Sequence, residues 1–79
     1  DWEGAVRSYG EAIRLHPNYL EARHNRGRIY RWLGEGRLAI LDLRKTLELA
    51  PADWPHRPRT EAILRELRRS ARPPAPRKT

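Results

Sequence analysis

Ala5-Val6-Arg7-Ser8-Tyr9-Gly10-Glu11-Ala12-Ile13-Arg14-Leu15-His16-Pro17 returns 34 residues later as Ala39-Ile40-Leu41-Asp42-Leu43-Arg44-Lys45-Thr46-Leu47-Glu48-Leu49-Ala50-Pro51. Ala5/Ala39, Leu15/Leu49 and Pro17/Pro51 are identical, and Val6/Ile40, Tyr9/Leu43 and Ile13/Leu47 are apolar in both copies. In the first copy the apolar positions step by one, three, three and one, which is the stripe of an amphipathic helix. A proline pushes the residue before it out of helical geometry, so Pro17 and Pro51 end both helices.

Between the copies the spacing predicts a second helix over residues 19–33, with Asn18 as its N-cap and Glu21 closing a capping box. Two glycines in Gly34-Glu35-Gly36 predict a tight turn. A third helix follows over residues 37–50, with Leu38, Ala39, Ile40, Leu41, Leu43, Leu47 and Leu49 forming a broad apolar surface. Residues 52–58 read as a loop. Pro58 at a first helical position, or Thr60, opens a fourth helix that places Ile63, Leu64, Leu67 and Ala71 on one side. From Arg72 onward three prolines and no apolar face predict a disordered tail.

A period of 34 residues in helix-turn-helix units resembles the tetratricopeptide repeat. The detailed spacing carries the resemblance: Gly27, two residues, Tyr30, then Ala39, three residues, Leu43, then Pro51. Gly27 and Ala39 stand where the two helices of a repeat come close, and Tyr30 fills the space between them. Arg23 and Arg26 depart from the pattern, which usually has Trp and Leu there. Their stems are expected to lie along apolar surface with the heads in water. The implied fold is all-α: antiparallel helix-turn-helix repeats in an α-solenoid, with a C-terminal capping helix and a disordered basic tail. Residues 1–17 would be the second helix of a truncated repeat, 18–51 a complete repeat, 52–71 a loop and capping helix, and 72–79 the tail.

The resemblance also implies a function, that of a protein-interaction scaffold. In that family the first helix of each repeat lines a concave groove for extended peptides. The corresponding positions here are Glu21, His24, Asn25, Arg28, Arg31 and Trp32, which helical spacing puts on one face. Their cationic character suits an acidic peptide or a terminal carboxylate, which arginine grips with two parallel hydrogen bonds. Asn25 matches the asparagine of carboxylate-clamp members. Trp2 and Trp54 are expected to pack at repeat junctions, and Trp32 either covers an apolar ligand side chain or the next helix.

Charge points to the alternative. The formal net charge is +7, from 17 basic and 10 acidic residues. From His56 to Thr79 eight basic residues face only Glu61 and Glu66, whereas residues 1–55 are nearly balanced. Such a cationic segment suits non-specific contact with nucleic-acid phosphates, although it lacks interleaved aromatics for base stacking. No nucleophile elbow, phosphate-cradling glycine loop or paired zinc motif is present, so no catalysis is expected. His16, His24 and His56 are far apart in sequence, and there is no cysteine, so no metal or cofactor is expected either. No apolar run approaches the ~20 residues of a membrane span, and no signal peptide is visible; a cytoplasmic protein is the expectation.

Seventy-nine residues bury little apolar surface, and repeat arrays need roughly three repeats for stability. The chain reads as the C-terminal piece of a longer array whose first helix has lost a partner. It is therefore expected to self-associate or to fold loosely. Sedimentation and thermal melting across a concentration series should show a concentration-dependent transition; a sharp, concentration-independent melt of a monodisperse monomer refutes this.

Overall fold

The computed structural model describes residues 1–71, and these form four α-helices: α1 Trp2–Leu15, α2 Leu20–Trp32, α3 Gly36–Leu49 and α4 Arg57–Ala71. The described residues contain no strand. The expected disordered tail over 72–79 and the side chain of Ala71 fall outside the described residues. Each helix packs against its neighbours in sequence. The connections are short. Trp2 at the start of α1 meets Trp32 at the end of α2. Arg26 and Asp42 join the middles of α2 and α3, and Arg57 at the start of α4 reaches Leu47 and Ala50 at the end of α3. Consecutive helices therefore run antiparallel.

The helix ends follow from local chemistry. Asp1 caps α1 by accepting a hydrogen bond from the Gly4 amide at 3.1 Å. The α2 terminus corrects the expected capping box: Tyr19, not Asn18, is the N-cap, and no side chain bonds to the cap. The Tyr19 amide donates to His16 O, so the turn after Pro17 runs one residue further than expected. At the other end of α2, Gly34 adopts φ +79°. This lets the Glu35 amide reach Tyr30 O and the Gly34 amide reach Arg31 O, the paired bonds of a Schellman motif. Helix α3 then begins at Gly36, one residue before expectation. Its last carbonyls are collected by Arg57, whose guanidinium donates to Leu47 O at 3.0 Å and Ala50 O at 2.8 Å. Arg57 also opens α4, so Pro58 is its second residue and Thr60 lies buried within it.

Helix α3 is the central element. Ala39, Leu43 and Thr46 are fully buried on it, and Leu43 forms a core with Ile63 and Leu64 of α4, flanked by Ile40, Leu47 and Leu67. On its α2 side the contact is closer still. A Cβ added at Gly27 would stand 2.9 Å from Leu43 Cδ2 and 3.1 Å from Asp42 Cβ, so only glycine permits this approach without a shift. Thr46 is accommodated because its hydroxyl donates to Asp42 O at 2.7 Å.

Asp42 itself overturns the expectation for the two arginines. It is 3% exposed, and Arg26 grips it with two hydrogen bonds of 2.7 Å. Arg23 stands 3.9 Å away on the same carboxylate. The arginine heads are thus drawn inward by a buried counter-charge instead of reaching water. Hydrogen bonding to Asp42 raises the pKa of the Arg26 guanidinium. Arg23 Nε is buried without a partner, a cost the arrangement carries because the Asp42 charge offsets it.

By contrast α1 is thinly docked: only Ile13 is buried, while Ala5, Val6, Tyr9 and Ala12 are half-covered. Beside it Val6, Tyr30, Leu33 and Leu38 line an open groove of about 460 Å³.

Truncating one member of a buried ion pair strands the other and costs about 3–5 kcal/mol. Asp42→Ala should therefore unfold most of the chain in a urea titration. Replacing Arg23 and Arg26 by Met together with Asp42→Leu should restore much of the loss. Equal destabilisation by the single and the triple variant would refute the assignment.

Candidate functional site

Only α3 separates α2 from α4, and side chains of α2 and α4 meet across it. Arg31 donates to Glu66 at 3.5 Å, and His24 Nε2 lies 3.5 Å from the Thr60 hydroxyl. The residue offsets of these pairs, 35 and 36, show that the two helices run parallel. The face they share is the candidate site, because it carries most of the residues expected to bind a partner.

The expected residues fall into three groups along α2. At its N-terminal half, His24 is half-buried beneath residues of the loop before α4. The Trp54 ring meets its edge at a centroid distance of 5.0 Å, and the His56 ring stacks on it at 5.8 Å and 26°. Trp54 and His56 also contact each other edge-on at 5.3 Å. In the middle, Arg28 reaches the same region, and His24, Arg28, His56, Arg59, Thr60 and Ile63 enclose a cavity of about 90 Å³. At the C-terminal end Arg31 turns toward α4, where it lines a different, open groove with Arg37, Leu67 and Ser70. Trp32, at the end of α2, lies 5.2 Å from Trp2 of α1. It remains 56% exposed and carries the Arg28 guanidinium 5.6 Å above its ring, a cation–π geometry. Glu21 is exposed and Asn25 half-buried, both on the same helix.

The expectation that Trp32 covers the next helix is thus corrected, since its aromatic neighbour belongs to the preceding one. Trp54, expected at a repeat junction, lies between α2 and α4, against His24. The histidines are the larger correction. His24 and His56 are far apart in sequence but stacked in space, because the loop after α3 folds back over α2. Stacked rings turn their nitrogens along their edges instead of toward a shared point, and the described residues contain no group of three or more side chains suited to a metal. Arg59 and Thr60 were absent from the expected site altogether. Their only sequence signal was the 34-residue period, which carries the groove-facing turn of α2 onto the first turn of α4.

Electrostatics sharpen the picture. Burial, the Arg28 charge and the His56 ring hold the pKa of His24 below its ordinary value, with Glu21 pulling the other way. Among the described residues neither Arg28, Arg59 nor His56 pairs with a carboxylate. The cavity therefore gathers like charge and polar donors around a space with no acidic wall.

No protein-family model matches the chain, and no solved structure matches it. No helix among the described residues is long and apolar enough to cross a membrane.

A depressed pKa in the folded state means that protonation of His24 opposes folding. The associated stability is complete above the unfolded value of about 6.5 and is lost as pH falls through the lower folded value. Melting in phosphate-free buffer should show a lower Tm at pH 5.5 than at pH 7.5, and His24→Gln should lessen that difference. An unchanged pH dependence in His24→Gln would show that other groups cause it.

Proposed function

We propose that the chain is a tetratricopeptide-type helical array acting as a protein-interaction scaffold. In this reading its α2–α4 face is the concave surface that takes an extended peptide. The observation that carries it is the parallel alignment of α2 and α4, side chains meeting at offsets of 35 and 36 residues, close to the 34-residue sequence period, with α3 antiparallel between them. A stacked array of two-helix repeats has this geometry, because each first helix lies beside the first helix of the next repeat. The close approach at Gly27, where an added Cβ would meet Leu43 and Asp42, supports the same reading.

On this face the binding residues are His24, Arg28, Arg31 and Trp32, with Glu21 and Asn25 beside them. The cationic side chains favour an acidic peptide, and the exposed Trp32 ring offers apolar cover. Asn25, half-buried on α2, would hold peptide backbone or a terminal carboxylate. The reading assigns no reaction to these residues and needs no cofactor. Trp2 and the groove around Val6, Tyr30, Leu33 and Leu38 are where a preceding repeat would pack; a second copy of the chain could take its place.

A display library of acidic and neutral peptides, panned on the immobilised chain at low and moderate salt, tests the proposal. Acidic peptides should be retained at moderate salt and lost from a His24→Ala, Arg28→Ala, Arg31→Ala variant. Equal retention by both baits would refute the assigned face. Single-stranded oligonucleotides run in parallel cover the alternative: salt-sensitive capture of these by both baits, with no peptide retained, would place function in the basic C-terminal segment.

A further inference from the structure

The enclosed cavity between α2 and the start of α4 has a chemistry more specific than a cationic groove. His24 and Arg28 form one wall, while His56, Arg59 and Thr60 form the other. Its volume of about 90 Å³ equals about three waters, which suits one small oxyanion. We propose that this cavity is a phosphoryl-binding site that takes the phosphorylated side chain of a peptide lying on the α2–α4 face. The peptide source rests on the scaffold reading above, whereas the phosphoryl site rests on the cavity alone.

Three observations support it. Two arginines and two histidines line one small space, although the Arg28 guanidinium also lies over the Trp32 ring. Such clustering is costly until an anion fills it, and among the described residues no carboxylate lines it. The donors also come from opposite walls. A planar carboxylate offers two oxygens in one plane, whereas a phosphomonoester carries about −1.5 to −2 charge and three strong acceptor oxygens, enough to engage both walls. Finally, Thr60 is almost wholly buried, and its hydroxyl lies at the limit of hydrogen-bond reach from His24 Nε2. A hydroxyl held so loosely can turn to an incoming oxygen.

The groups that face His24 are Glu21 and Arg28 of α2, Trp54 and His56 of the loop, and Arg59 and Thr60 of α4. Bound phosphate would reverse the local balance and favour the imidazolium. Phosphate binding and protonation of His24 should therefore reinforce each other.

NMR titration of the full chain with inorganic phosphate, at constant ionic strength, reads this directly. Ring signals of His24 and His56 should shift saturably and the pKa of His24 should rise, while signals of the exposed His16 stay unmoved. Arg59→Gln should weaken phosphate at least tenfold, and the equally exposed Arg69→Gln should not. Acetate should give no saturable shift. Parallel, unsaturable movement of all three histidines, or equal effects of the two arginine variants, would overturn the site.

A peptide carrying one phosphoserine, its unphosphorylated form and a thymidine oligonucleotide identify the source. The phosphopeptide should bind at least tenfold better than either control and better than phosphate alone. An oligonucleotide binding as tightly through the same histidines would overturn the peptide assignment. Failure of the peptide library with saturable phosphate binding sinks the scaffold reading and leaves the phosphoryl site standing; the reverse pattern removes the site and leaves the scaffold.

Discussion

Everything in this chain is hung on the contact between α2 and α3, where Arg26 grips Asp42 beside the bare Gly27 backbone. The two features depend on each other. Glycine lets the Leu43 side chain and the Asp42 Cβ come closer than a Cβ at position 27 would allow, and the same approach sets the carboxylate 2.7 Å from the Arg26 guanidinium. Removing two charges from water is costly, so the pair is only sustained by bidentate geometry and by the second arginine alongside. In return it fixes the register of α2 against α3. An apolar stripe alone tolerates slippage by a turn, but a buried fork on a buried carboxylate does not.

From that register the remaining architecture follows. With its α2 side fixed, α3 presents Leu43, flanked by Ile40 and Leu47, to α4, where Ile63 and Leu64 close the main core. Arg57 then joins the end of α3 to the start of α4 through carbonyl contacts. This leaves α4 parallel to α2 and sets His56, Arg59 and Thr60 opposite His24 and Arg28. The polar cavity is thus set by packing on two sides: the apolar core positions its two walls, and the Trp54 and His56 rings pack on His24 where they meet.

The opposite end of the molecule is less determined. Helix α1 buries only Ile13, and Trp2, Trp32, Leu38 and Leu41 keep large exposed areas. Stability is accordingly concentrated between α2 and α4, and α1 is held mainly by α2 and by the Trp2–Trp32 contact.

The sequence by itself determined the four helices and the stops of the first three, because apolar periodicity, two prolines and Gly34 act over a few residues and need no distant partner. The resemblance to a known repeat also marked Gly27 as a close-approach position, and the packed helices show that approach against Leu43 and Asp42. What the sequence did not reveal was the fate of polar side chains. Arg23 and Arg26 read as solvent-facing heads because a long charged side chain has no preferred direction until a counter-charge is placed. Asp42 supplies one only when α3 folds back antiparallel on α2. His24 and His56, or Arg59 and Thr60, carry no local signal of meeting, since they belong to different elements. Periodicity is short-range and is written in the chain; the pairing of charges and rings depends on distances that only the packed helices decide.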